Sequence, residues 1–445
     1  MATIAAFRGI RYNQNKAGDL SKIVSQPYDR IGPDLQDSYY NLHPYNVTRL
    51  IKGKEYGDDH SGHNVYTRAG DYYRTWLDAG YLLPETQPAL YVYRQTFTLP
   101  GGQQLTRSAF LTAFQLAEFA EGIVLPHERT LSGPKVDRLN LLRATAVNFE
   151  LIFMLYPDPL RRIDALFDKA VGGRPPDVEV HELFEQDVRQ QMWVVTQPDV
   201  LAAVVAEMSP KTGLIIADGH HRYETALNYR DEMWAQVRAQ QPEPRADAAF
   251  NFTQVTLVSM SDPGLVILPT HRLIHDYTDK TSAQILAGAA DYFEVTSLPD
   301  RQALQAALSL ATADDRRIGF YDGGYHLLRL KSPAVMAEVV PERAAEWCRL
   351  DVSILHELAI ERVMGISKAQ VEAKTYLDYF RDLDQALGEV DAGRATCLFI
   401  LNPTRIVEVK ACSDKGEKMP QKSTDFYPKM ISGLVMLDVG ANEQL

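Results

Sequence analysis

Leu214-Ile215-Ile216-Ala217-Asp218-Gly219-His220-His221-Arg222 reads as an apolar strand broken by an Asp-Gly turn, with a helix opening on His-His-Arg. Tyr223, Ala226, Leu227, Trp234 and Val237 follow near helical spacing, which predicts strand, tight turn, helix. A helix entered this way presents backbone N–H groups and the positive end of its dipole. Gly219, His220, His221 and Arg222 at that mouth make an anion pocket with phosphate as the expected ligand. The plain alternative is a polar first turn that faces water, but this run is denser in functional groups than an ordinary cap.

Outward from this stretch, helical and strand patterns alternate. A helix is expected over residues 66–80 and a strand over 90–97, which turns at Gly101 and Gly102 into another. Gly133 and Pro134 open a helix, since proline suits its first turn. Strands are expected over 149–156, 253–260, 265–268, 318–321 and 396–401, and helices over 281–290, 301–311 and 354–363. Alternation over 405–411 predicts a strand lying beside 396–401 across a turn. The Pro-, Arg- and Gln-rich residues 240–245 predict a surface loop. The fold class is mixed α/β (α+β). Three regions are expected: an aromatic-rich N-terminal α/β region over 1–107, a central phosphate-binding domain over 108–262, and a C-terminal α/β domain over 263–445.

Composition narrows the function. The chain has 445 residues, 45% hydrophobic and 23% charged, the profile of an ordinary globular protein. A net charge of -12 argues against sequence-independent nucleic-acid binding, which needs a basic face. Cys348, Cys397 and Cys412 form no C-x-x-C pair, which suits three buried thiols in a reducing cytoplasm. The N-terminus lacks a signal-peptide pattern, and no apolar run approaches the roughly 18 residues of a membrane helix. A cytoplasmic location without membrane or nucleic-acid partners is the expectation.

Two further constellations carry chemistry. Pro126-His127-Glu128-Arg129-Thr130 puts a carboxylate beside an imidazole, and Lys135 and Arg138 follow on one helical face. Together they suit acid/base work and phosphate contact; the plain alternative is a solvated loop and a salt-bridged helix. Pro420-Gln421-Lys422-Ser423-Thr424, with Pro428 beyond, holds ammonium and hydroxyl donors in a stiff loop suited to carboxylate or phosphate. Pro269-Thr270-His271-Arg272 and the residues Tyr28, Asp29, Tyr45 and Asn46 can line a pocket. His356-Glu357 lacks the second His of a zinc-protease motif, and His220 and His221 stand about 100° apart on a helix. No dedicated protein-bound metal site is expected.

As a set, Gln26-Pro27-Tyr28-Asp29, His43-Pro44-Tyr45-Asn46, Pro126-His127-Glu128-Arg129-Thr130, Asp218-Gly219-His220-His221-Arg222-Tyr223-Glu224, Pro269-Thr270-His271-Arg272 and Gln421-Lys422-Ser423-Thr424 resemble the domain-of-unknown-function 1015 family over nearly the whole chain. The order Pro-His-Glu, Asp-Gly-His-His-Arg and a late Pro/Lys/Ser-Thr loop is also similar to the free serine kinases of the ParB/sulfiredoxin-like superfamily. That resemblance implies a central ParB/sulfiredoxin-like domain and phosphoryl transfer from a nucleotide, ATP or ADP with Mg²⁺, to free L-serine or a related metabolite.

By the same resemblance, Glu128 takes the hydroxyl proton, Asp218 assists Mg²⁺ or the nucleophile, and His221 joins them as a catalytic group. Gly219, His220, His221, Arg222, Lys135 and Arg138 hold the nucleotide phosphates, while His127, Lys422, Ser423 and Thr424 contact the substrate. The chain departs from those kinases where Gln421 separates Pro420 from Lys422, and in its long aromatic N-terminal region. Sulfiredoxin chemistry needs a cysteine where His220 stands, and a ParB-type DNA clamp needs a basic face. A nucleotide-sensing regulator without turnover, and a phosphatase or phosphotransferase with a His nucleophile, stay as alternatives.

Overall fold

Runs of aromatic and β-branched residues give the chain its strands, and the pairing gathers most of them into two large sheets. The computed structural model describes every residue except 131, 185–187 and 240–244, so most of the loop expected over 240–245 lies outside the described residues. The chain divides into two compact units. Residues 1–126, 130–266 and 428–445 form the first, and residues 127–129 and 267–427 the second. Both mix helix and strand, as the fold class requires.

The first unit is built on nine strands: β1 (Ile4–Ala5), β2 (Leu90–Thr98), β3 (Gln104–Gln115), β4 (Val124–Pro126), β5 (Ile152–Tyr156), β6 (Val178–His181), β7 (Arg189–Val195), β8 (Leu214–Asp218) and β9 (Phe252–Ser259). They pair in the order β4-β8-β5-β9-β3-β2-β7-β6, with β1 also on β3. The β8–β4 and β9–β5 pairs are parallel and the others antiparallel. Helices α1 (Val65–Asp78), α2 (Ser132–Thr145), α3 (Arg162–Val171), α4 (Pro198–Met208) and α5 (His220–Arg238) belong to this unit. Alternate strand residues such as Val92, Phe110, Met154, Ile216 and Leu257 share one core with Phe167 of α3, Met208 of α4 and Tyr223 of α5. Full burial of such side chains contributes about 1.5–3 kcal/mol each, so the end of β8 and the start of α5 sit on a rigid mount.

Arg107, in β3, points to the other register and is fully buried. Its Nε donates to Gln95 Oε1 at 3.1 Å, and the Gln95 amide donates to the Lys429 carbonyl at 2.9 Å. This polar pair fixes the backbone from which the Lys429 side chain leaves.

The second unit carries an all-antiparallel sheet of β10 (His271–Ile274), β11 (Phe293–Leu298), β12 (Arg317–Tyr321), β13 (Tyr325–Leu330), β14 (Leu377–Phe380) and β15 (Cys397–Ile400), ordered β11-β13-β12-β15-β10-β14. Helices α6 (Arg301–Ser309) and α7 (Leu383–Asp391) pack Leu304, Leu308, Leu387 and Val390 against Leu273, Leu398 and Ile400.

One expectation is overturned here. Residues 405–411 do not form a strand beside β15; they open helix α8 (Ile406–Asp414). The Glu408 carboxylate closes its first turn by accepting from the Arg405 backbone N–H and the Arg405 guanidinium, each at 2.9 Å. Val409, Cys412 and Ser413 are buried at helical spacing while Val407 is 65% exposed, so period 3.6 won over the apparent alternation. The helix expected over 354–363 begins at Asp351–Ile354 and widens into π-helical turns over Leu355–Met364. Among the described residues, no helix is long and apolar enough to cross a membrane.

Candidate functional site

Strand β8 ends in an irregular register between Ile216 and Asp218, the chain turns at Gly219, and α5 starts at His220. Gly219 has φ +94, and a Cβ there would stand 3.0 Å from Arg222 Nε and 3.1 Å from its Cζ. Only glycine permits both the left-handed turn and a guanidinium packed over it. Among the described residues, no side chain caps the first turn of α5, which leaves the positive end of a 19-residue helix at the turn.

Arg222 is buried, and it folds back onto its own turn. Its Nη2 donates to Asp218 Oδ2 at 3.0 Å and its Nη1 to the Leu151 carbonyl. Its Nε is buried with no hydrogen-bond partner among the described residues. Desolvation pushes the Asp218 carboxyl up, but Lys429, Arg222, His220 and Arg30 together outweigh it and hold the group well below the usual carboxylate range. Asp218 is therefore a fixed anion amid cations. His221, half-buried, is pushed down by burial, against the pull of Glu224 and Asp29, and is neutral at physiological pH.

Beside this turn lies a cleft lined by Arg138, Leu142, Phe149, Glu150, Arg222 and Thr225. Glu150 Oε2 accepts from Arg138 Nη1 at 3.0 Å, and its Oε1 accepts from the Tyr28 backbone N–H at 3.0 Å. The Arg138 guanidinium stacks on the Tyr28 ring at 4.0 Å and also donates to Asp137 and the Ile51 carbonyl. Lys135 reaches Glu224 at 2.9 Å, and the same carboxylate oxygen accepts from Thr130 at 2.8 Å. Arg138 and Lys135, expected to share a face toward phosphate, thus differ: Arg138 is buried in an ion pair and Lys135 is partly exposed.

Asp218, Gly219, His220, His221, Arg222, Lys135 and Arg138 all belong to the first unit; His127, Glu128, Lys422, Ser423 and Thr424 belong to the second. Within the second, His127 is buried with Nε2 2.9 Å from the Thr424 hydroxyl, its carbonyl accepts from Met419 N–H at 2.9 Å, and its ring meets Phe426 edge-on. The Pro-His-Glu segment and the late loop, 297 residues apart at this contact, are one construction. Glu128 is half-buried and Lys422 exposed.

Sequence reasoning missed Glu150 and the electrostatic pull of Lys429 on Asp218. Glu150 had a readable signal, a lone carboxylate opening an apolar strand. Among the described residues, no group of three or more His, Cys, Asp or Glu side chains could hold a metal ion.

A family model described as "Protein of unknown function (DUF1015)" matches residues 4–353. No curated protein matches the chain. Among solved structures, it is similar to a conserved hypothetical protein from Pyrococcus furiosus, at 12% identity and a TM-score of 0.32, over 73% of this chain and 94% of that one. It is also similar to a free serine kinase in complex with AMP, at 11% identity and a TM-score of 0.35, over 73% of this chain and 90% of that one. A mutant of that kinase in complex with ADP gives 10% identity, a TM-score of 0.35, and 73% and 91% coverage. These are remote likenesses.

Proposed function

The chain belongs to the DUF1015 family, and from that premise we propose that it is a small-molecule kinase, transferring a phosphoryl group from a nucleotide to the hydroxyl of free L-serine or a near relative. The observation that carries the reading is the Asp218–Arg222 turn. A carboxylate is held ionised, with Lys429 pulling on it, at a helix start that no described side chain caps, and a buried Arg222 Nε lacks an acceptor among the described residues. Phosphoryl transfer asks mainly for positioning and for neutralisation of spread negative charge, which is what such a donor set supplies.

These residues fit a nucleotide's phosphates. The unpaired Nε of Arg222, the Lys429 ammonium and the Gly219–His220 backbone would hold phosphate oxygens, and Asp218 would hold Mg²⁺ brought with the nucleotide. When bound, the Mg²⁺–nucleotide supplies the phosphoryl group and a leaving diphosphate or monophosphate. The order of motifs assigns Glu128 the role of proton acceptor as the serine oxygen bonds to phosphorus and the bridging P–O bond breaks. Lys422, Ser423 and Thr424, with His127 behind Thr424, are assigned to the acceptor.

The test is direct. Purified protein, Mg²⁺, ATP or ADP, and a panel of amino acids and hydroxylated metabolites should give O-phosphoserine first. No phosphorylated product with either nucleotide would leave a nucleotide sensor without turnover as the better reading.

The ionisation of the turn sets a pH expectation. The Asp218 pKa is depressed, so its charge persists below the usual carboxylate range and is lost only as pH falls through the depressed value. His221 is depressed as well, so it is already mostly neutral at the ordinary histidine pKa of about 6.5. Nucleotide affinity should therefore show no step near that value. A steep loss near the ordinary histidine pKa, followed by fluorescence or calorimetric titration, would show that the turn is not set this way.

A further inference from the structure

A cavity of about 200 Å³ opens in the second unit between the end of α6 and the start of α8. Four charged side chains stand in its walls, Arg316, Asp351, Arg405 and Glu408, with Leu308 and Asn402 beside them. Glu408 is fully engaged. It accepts from Arg316 Nη1 at 2.8 Å and from the Arg405 backbone N–H and guanidinium at 2.9 Å each. Burial pushes its carboxyl up, but those bonds outweigh burial and hold the group below its ordinary range.

Asp351 is not engaged to the same degree. Its side chain is 14% exposed, and its Oδ1 accepts one long bond, from Arg316 Nη1 at 3.4 Å. Its Oδ2 has no donor among the described residues. Burial, with Glu408 beside it, pushes this carboxyl up to about 6 against the pull of Arg316 and Arg405. Arg316 is 6% exposed and donates through Nε to the Ala313 carbonyl at 3.1 Å, while its Nη2 has no acceptor among the described residues. Asn402 gives its amide to the Leu308 carbonyl at 3.2 Å, and its Oδ1 likewise has no described donor. Inaccessible polar groups are paired almost without exception, so an unused guanidinium nitrogen and an unused carboxylate oxygen in one cavity point to a ligand that takes both.

The charges define its chemistry. Two cations and two anions leave the walls with no net charge. A lone anion would meet Asp351 and Glu408, and a lone cation would meet Arg316 and Arg405. A ligand that carries both signs avoids either conflict. The helix poles agree, since α6 brings its negative end to the cavity at Leu308 and Ser309, and α8 its positive end after Arg405. The volume equals about seven waters at ~30 Å³ each and lies below the roughly 300–1,000 Å³ of cofactor pockets, so a nucleotide does not fit. Leu308, Ala311 and Pro403 give the remaining wall an apolar surface suited to a short aliphatic side chain.

We infer that this cavity binds a small zwitterion, a free amino acid, with its carboxylate on Arg316 and Arg405 and its ammonium on Asp351 and Asn402. The inference goes beyond the proposed function: Glu128, Lys422, Ser423 and Thr424 are not among the described residues that line the cavity.

Calorimetric titration of the full chain with L-alanine and L-valine tests it, since neither carries a hydroxyl that a kinase could phosphorylate. At least one should bind. Its carboxamide (L-alaninamide or L-valinamide) lacks the anion, and its deaminated acid (propionate or isovalerate) lacks the cation. Each should bind more weakly by about tenfold or more. Asp351 loses its charge as pH falls through about 6, so amino-acid affinity should drop about tenfold from about pH 7 to about pH 5. Asp351→Asn should weaken binding by about tenfold at the upper pH and abolish this dependence. Ala311→Phe fills the cavity without touching a charge and should abolish binding while the unfolding midpoint stays near that of wild type. The inference falls if neither amino acid binds, if the amide or the deaminated acid binds as well as its parent, or if Ala311→Phe binds like wild type. It falls too if wild-type affinity is flat over that pH range. Should Asp351→Asn fail to fold, the ligand series and Ala311→Phe decide by the same criteria.

Discussion

Glu128→Gln should lower turnover by about 10²–10⁴-fold while leaving nucleotide affinity unchanged, the loss typical of removing a positioned general base. The amide keeps the shape and one acceptor oxygen of the carboxylate but cannot take the proton that leaves the acceptor hydroxyl. A variant defective in folding would lose binding as well, so equilibrium nucleotide titration alongside single-turnover assay separates the two causes. Near-normal turnover in this variant would remove the proton acceptor from the proposal. The neighbouring His127 makes the comparison sharper, since it is committed to Thr424 through Nε2. His127→Asn should therefore act through the loop, on the affinity for acceptor more than on the chemical step.

The reading of Leu214–Arg222 as strand, turn and helix follows from local rules, and β8 and α5 confirm it because burial and glycine chemistry agree there. Arg222 was expected to point toward phosphate, but two of its nitrogens are turned inward. The spacing held the clue, since Asp218 and Arg222 are four apart and α5 begins between them. Lys135 and Arg138 were legible as cations on one helix, but their partners were not. Glu224 lies 89 residues from Lys135, and Glu150 meets Arg138 only because the chain doubles back between α2 and β5. Long-range pairing of this kind has no periodic signature. At 405–411 two periods competed over a short run, and the Glu408 cap with the buried Val409 and Cys412 decided for helix.

The Arg138–Glu150 pair bears the second large expectation. Both side chains are nearly inaccessible, at 7% and 5%, so Arg138, which Asp137 also pairs, neutralises a Glu150 charge that the interior would otherwise have to hold. Arg138→Met leaves the Glu150 carboxylate buried with the Tyr28 N–H as its remaining described donor, and should destabilise the first unit by about 3–5 kcal/mol. Arg138→Met combined with Glu150→Leu removes both charges and should recover most of that loss, because burying two apolar groups carries no ionic desolvation. Urea unfolding followed by tryptophan fluorescence measures both, and a loss under about 1 kcal/mol in the single variant would mean that water reaches the pair. The recovered double variant then separates stability from function. It is folded but lacks the guanidinium at the cleft, so a weakened nucleotide affinity in it would place Arg138 among the phosphate-holding groups, and an unchanged affinity would make Arg138 a strut for Tyr28 and Glu150 alone.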